Sequence, residues 1–275
     1  DIVDSHVKKA DIYCHVGRLI QAANWNVAQV SESYEAALKL NAANIEALDA
    51  LMEIARKAGD VKRQLALLNI RADNENDPQA KKAILNNIAN TAIDQLSDYD
   101  LAAQALSQIY AATPEDIELG ERLINAFIRA EQVSKAEPIL NGIIERLTES
   151  KQTKSLPPFF SLRGRLLKQR GDLSGAREAF EAAQAIDKNN IANNIELGIL
   201  LYDAADYEAA LKIMQTLLLH QMNIKEKDLK VSIFYYLGML RLKTDDPKRA
   251  KDMFTRALGV DANHAPSKEA LASLG

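Results

Sequence analysis

Small and large apolar residues recur along this chain at a fixed helical spacing, most regularly over residues 157–264. Gly164, Gly198 and Gly238 are each followed twelve residues later by Ala176, Ala210 and Ala250, and four residues further by Phe180, Met214 and Phe254. Alanine returns at Ala183 and Ala257, one helical step on. A pattern of this kind predicts pairs of amphipathic helices stacked many times over. Each position has a packing reason. A small residue late in the first helix lets the second helix approach, the alanine opening the second helix does the same from its side, and the large residue fills the space between neighbouring pairs.

Carried toward the N-terminus, the same register gives seven units, starting at Asp11, Ile45, Ala83, Ile117, Pro157, Ile191 and Val231 and covering residues 11–264. The alanine is kept at Ala102, Ala136, Ala176, Ala210 and Ala250, and replaced by Val30 and Gln64 in the first two units. The large apolar position is filled throughout, by Tyr34, Leu68, Leu106, Leu140, Phe180, Met214 and Phe254. The glycine position is taken by Arg18, Met52, Asn90 and Ile124 in the first four units, and the closing proline is kept only at Pro114. Asp60, Asp98, Asp172, Asp206 and Asp246 stand at one place between the two helices, with Asn26 and Gln132 in the remaining units. Aspartate there is expected to cap the N–H groups that open the second helix. Gly59 and Gly171, one residue earlier, suit the left-handed backbone that ends a helix. Trp25 falls in the first of these turns and is expected to cover local packing.

This register resembles the tetratricopeptide repeat, a helix–turn–helix unit of about 34 residues. The resemblance implies an all-α fold, a right-handed superhelical α-solenoid of seven such units. Residues 1–10 then extend the first helix backward or complete a truncated repeat. Residues 265–275 form a C-terminal capping helix, with Ala265, Ala270, Leu271 and Leu274 covering the last apolar face. Successive starts lie 34, 38, 34, 40, 34 and 40 residues apart. The surplus falls near residues 77–82, 150–156 and 221–230, where longer second helices or loops are expected.

In tandem units of that family the first helices line an inner groove. The resemblance puts Glu46, Asp49 and Glu53 in its N-terminal part, and Ile195, Ile199, Tyr202, Tyr235, Met239 and Leu242 in its C-terminal part. The apolar end is expected to bind a peptide or helix of a partner protein through aromatic and methionine contacts, and the acidic end invites a basic segment. A second reading stays open, in which the apolar side chains are core and touch only their own second helices, because helical periodicity does not separate the two. The Lys/Asn clamp with which some members of the family grip a chaperone's terminal carboxylate is not matched: Ile12, Val16, Glu46, Ala50 and Ile84 stand at those positions.

Composition narrows the classes. Of 275 residues, 47% are hydrophobic and 26% charged, an ordinary globular balance. The net charge of −4 argues against a nucleic-acid partner. Cys14 is the one cysteine, so no internal disulfide forms. No stretch approaches the ~20 apolar residues of a membrane span, so no membrane insertion is expected. His6, His15, His220 and His264 are scattered, and Cys14 and His15, adjacent on a helix, point in different directions. With no phosphate-cradling glycine loop and no nucleophile elbow, neither catalysis nor a metal nor a cofactor is expected. The expected function is a non-catalytic scaffold that binds a protein or peptide partner. The alternative is a regulatory or targeting region of a larger multidomain protein, enzymatic or not, motivated by a chain that begins at Asp1 in what reads as mid-helix. The compartment stays open on the same ground, cytoplasm ahead of periplasm. Self-association through an uncovered end of the stack is a further expectation.

Overall fold

The structure is a computed structural model that describes residues 2–23 and 26–274, so the turn expected around Trp25 lies outside the described residues. Among the described residues all regular structure is helical. The chain divides into two compact units, Asp1–Ile139 and Leu140–Gly275. The first holds α1 (Ile2–Ala22), α2 (Val27–Leu40), α3 (Ile45–Ala58), α4 (Val61–Asp73), α5 (Pro78–Thr91), α6 (Tyr99–Ala112) and α7 (Ile117–Arg129). The division falls within α8 (Val133–Glu149). The second holds α9 (Pro157–Gln169), α10 (Leu173–Ile186), α11 (Ile191–Asp203), α12 (Tyr207–Leu219), α13 (Lys227–Lys243), α14 (Pro247–Val260) and α15 (Ala265–Ala272). In each unit consecutive helices pack side by side, and α11 also touches α13. These are repeating helix pairs of the kind a tetratricopeptide-like solenoid is built from.

The hairpins close by one recurring device. Asp60, Asp98, Asp172, Asp206 and Asp246 each accept a hydrogen bond from the backbone N–H three residues on, at 3.0, 3.0, 2.9, 3.4 and 3.1 Å. Asn26 caps α2 through the N–H of Ala28 at 2.9 Å. The residue before each of the five aspartates is left-handed, Gly59 and Gly171 as expected but also Ser97, Ala205 and Asp245, and Glu131 before Gln132 is left-handed too. The N–H of the cap then reaches back to a carbonyl of the preceding helix, as in Asp60 to Ala55 and Asp206 to Leu201, both 2.9 Å. This is the Schellman closure, which satisfies carbonyls that the helix end would leave orphaned. The first helices open on caps of their own, Asn44, Asp77, Asp116 and Asn190.

The spacing of small and large residues has a direct physical meaning in the second unit. A methyl group added to Gly164 would lie 2.7 Å from the ring of Phe180; on Gly198 it would lie 2.6 Å from Met214 Cε, and on Gly238 2.5 Å from the ring of Phe254. Beneath the two phenylalanine rings only a hydrogen fits, so these pairs fix how closely the helices approach, whereas at Gly198 the contact is with the movable methyl end of Met214. The first unit departs from this pattern in two places. Gly17, not the register position held by exposed Arg18, lies under a ring, that of Tyr34 at 2.9 Å. In α4 the buried residues are Leu65, Leu67 and Ala72, while Gln64 and Leu68 are half-buried. The buried side of α4 has slipped because Gln64 carries a polar group where the other units have a small apolar one.

Polar groups in the second unit's core are paired. Asn193, 1% exposed, donates to the carbonyl of Phe180 at 3.0 Å and accepts from the hydroxyl of Ser161 at 2.7 Å. One side chain on α11 thereby ties α9 and α10 to it. The surplus residues go only partly where expected. Residues 150–156 follow a lengthened α8 and hold a 3₁₀ turn, Thr153–Ser155, but α5 and α13 take up surplus by starting early, at Pro78 and Lys227. A π-helical turn, Ala92–Leu96, continues α5. Ser267 is the buried residue of α15, and its hydroxyl lies 2.8 Å from His264 Nδ1; Ala270, Leu271 and Leu274 are half-buried.

Candidate binding surface

In the second unit the first helices α11 and α13 bring a chain of rings together. Tyr202 on α11 lies 5.7 Å from Tyr207 at the start of α12 and 5.6 Å from Tyr236 on α13, ring centre to ring centre. Tyr236 stands edge-on to Tyr235 at 5.2 Å, and Tyr235 reaches His264 at 5.3 Å and Phe254 at 6.0 Å. Tilted and edge-on pairs at these separations are the favourable aromatic geometries. Lys243 extends over the ring of Tyr207 at 6.0 Å. The four tyrosines are all half-buried. Burial, with smaller contributions from neighbouring tyrosines and carboxylates, pushes the hydroxyls of Tyr202 and Tyr236 above the ordinary tyrosine range. They stay neutral near pH 7, so the surface offers apolar ring faces with hydroxyl groups able to donate or accept hydrogen bonds.

Of the other apolar positions, Ile199, Met239 and Leu242 are half-buried. Ile195 is 4% exposed and belongs to the core that also holds Ala176, Phe180 and Leu237. It supports the ring cluster from behind and presents no surface. Tyr207, Tyr236 and His264 were not among the sequence-derived positions. Tyr207 lies on a second helix and His264 at a helix cap, so reading groove positions on first helices passes over both. The neighbouring pair Tyr235-Tyr236 was the available signal for the third.

The acidic positions are in the first unit, and each has a cation from its own chain. Glu46 pairs with Arg18, and Asp49 with Arg71 at 3.0 Å. Glu53 pairs with Arg56 at 2.8 Å and Lys57 at 3.4 Å. The hydrogen bonds from Arg56 hold the Glu53 carboxyl down to about 2. Glu46 and Asp49 are exposed and Glu53 half-buried. Exposed pairs of this type contribute little to stability; their effect here is to spend the negative charge locally.

Cys14 is 1% exposed, and its thiol points to Asn44 Oδ1 at 3.3 Å and not to His15. Burial, then Glu46 and Asp11, raise its pKa, the opposite of what a nucleophilic thiol needs. Among the described residues no group of three or more His, Cys, Asp or Glu side chains is placed to hold a metal ion. No helix among them is long and apolar enough to cross a membrane.

Residues 167–227, which carry Phe180, Met214 and the turns at Asp172 and Asp206, match the sequence profile of the tetratricopeptide repeat. This stretch carries tetratricopeptide repeats. No curated protein sequence matches it significantly. Among solved structures, the C-terminal part of a tetratricopeptide-repeat protein from Cytophaga hutchinsonii is similar over 94% of this chain and 99% of that one, at 14% identity and TM-score 0.57. A chain in a structure of Naa15/Naa10 bound to HypK-THB is similar over all of this chain and 40% of its own length, at 16% identity and TM-score 0.61. A MamA protein is similar over 67% of this chain and 93% of that one, at 15% identity and TM-score 0.53. At such identities the likeness is one of fold. Tetratricopeptide-repeat folds serve in general as scaffolds for protein–protein interaction.

Proposed function

We propose that this tetratricopeptide-repeat protein is a non-catalytic scaffold of seven repeats wound as a right-handed superhelix, and that it captures a peptide or helix of a partner protein on its inner, first-helix surface. The contact centres on Tyr202 and Tyr235, with Ile199, Met239 and Leu242 around them. The single observation that carries this reading is the half-exposed ring chain running from Tyr207 through Tyr202, Tyr236 and Tyr235 to His264. Rings held by their neighbours lose little rotamer freedom when a partner lands on them, which makes such residues effective anchors. The similar chain in the Naa15/Naa10 structure also sits in a multi-protein assembly. Glu46, Asp49 and Glu53 form a second contact region in the first unit, where a basic partner segment takes the place of Arg18, Arg71 and Arg56.

The test is affinity capture from native extract with the natural chain and with a Tyr202→Ala/Tyr235→Ala variant, each checked for helical content by circular dichroism. The expected outcome is a protein retained by the natural chain and lost from a variant whose helical signal is intact. Equal capture by both, or a variant that unfolds, would overturn the reading and return these tyrosines to the core.

A further inference from the structure

A different face of the second unit carries a built recess. α10 and α12 both pack on α11, and between them lies a cavity of about 500 Å³ with α11 as its floor. Leu197 and Leu201 of α11 and Ile213 of α12 make the apolar base. A smaller recess of about 310 Å³ shares Lys188, Asn194, Thr216 and Leu217 with it and ends at His220, so the two form one trough. None of the tyrosines of the proposed capture surface lines it.

The charged residues around this trough are unequal. Glu181 is its one carboxylate, and Arg177 holds it at 2.8 Å while also reaching Asp206 at 3.2 Å. That set is internally satisfied. Lys188 and Lys212 are exposed on opposite walls, and among the described residues neither has a carboxylate within ion-pairing distance. The backbone at Lys188 is also held in place. The amide of Asn194, 7% exposed, donates to the Lys188 carbonyl at 2.9 Å and accepts from Gln184 at 2.9 Å. A chain with net charge −4 thus presents two unspent cations above an apolar base.

We propose that this trough is a second docking site, for a short acidic peptide segment of a partner that inserts a large apolar side chain between α10 and α12 and sets carboxylates against Lys188 and Lys212. The volume suits one or two side chains and is too small for a whole helix, within the usual range of specific pockets. The two lysines select the sign of the partner: they attract carboxylates at this trough, while the net charge of −4 disfavours an acidic segment elsewhere on the molecule.

The experiment is fluorescence anisotropy with the labelled peptide Asp-Asp-Glu-Phe-Leu-Glu-Asp and the full chain. Lys188→Glu/Lys212→Glu is compared with Lys39→Glu/Lys62→Glu, which changes net charge equally at exposed sites in the first unit. Saturable binding is expected, weakened at least tenfold by the first pair and less than twofold by the second. It should weaken with added salt and be lost when Phe-Leu is replaced by Ser-Ser. No saturable binding to the natural chain, equal weakening by both pairs, or undiminished binding of the Ser-Ser peptide would each overturn the proposal.

Discussion

Between α13 and α14 a glycine lies flush beneath a phenylalanine ring; between α3 and α4 the residues at the same register are Met52 and Leu68, both half-buried. The contrast extends through the two compact units. Residues 140–275 set helix spacing by volume, with Gly164, Gly198 and Gly238 against Phe180, Met214 and Phe254. Residues 1–139 show that arrangement at Gly17 and Tyr34, and add arginine bridges over other helix contacts. Arg63 reaches Ser31 at 2.7 Å and also Glu35, Arg122 reaches Asn86 at 3.1 Å and Asn90 at 2.9 Å, and Arg129 reaches Tyr99 at 2.7 Å. Close packing supplies stability, whereas partly exposed bridges supply mainly alignment. The same helix-pair plan therefore tolerates wide sequence drift, provided that some device holds neighbouring helices in register.

The largest effect expected from this comparison is at the large apolar position. Phe180→Ala should cost about 3–5 kcal/mol, the usual range for a buried aromatic, while the half-buried Leu68→Ala should cost under ~2 kcal/mol. Chemical denaturation of both variants tests the difference, and equal losses would break the distinction between the units. Next comes the glycine. Gly238→Ala and Gly17→Ala should each cost about 1–3 kcal/mol through overpacking, whereas Gly142→Ala, where an added methyl meets nothing within 4 Å, should not destabilise. A harmless Gly17→Ala would show that the close approach at Tyr34 is loose. The smallest effect is electrostatic. The Glu53 carboxyl should titrate at about 2 by NMR and return toward the ordinary carboxylate range in Arg56→Ala. Its folded value is depressed, so the contribution of this pair is present above the ordinary carboxylate range and fades as pH falls toward 2. An ordinary midpoint in the natural chain would remove the bridge from the account.

Helix pairing and turn placement were legible because both depend on residues whose size or capping chemistry leaves few alternatives. Only a hydrogen fits beneath Phe254, and a carboxylate at Asp172 satisfies an N–H that would otherwise be orphaned. The shift to Gly17 and the slip in α4 were not legible, since Arg18, Gln64 and Leu68 carry no comparable constraint and tertiary packing decided which side turned inward. The left-handed turns at Ser97, Glu131, Ala205 and Asp245 gave no glycine cue. Of the ring cluster, Tyr202 and Tyr235 were picked out by their place on first helices. Ile195 shares that place yet is covered by the core, and Tyr207 and His264 come from segments that the same reading passes over.

Asn193 carries one more consequence. Its amide binds a carbonyl of α10 and a hydroxyl of α9 from a position shut off from water. If either helix frays alone, a polar group is stranded in a dry interior, at a cost of about 1–3 kcal/mol. A stack held only by oily contacts can come apart one hairpin at a time. Here a single side chain makes partial melting expensive, so these three helices are expected to open and close as one block.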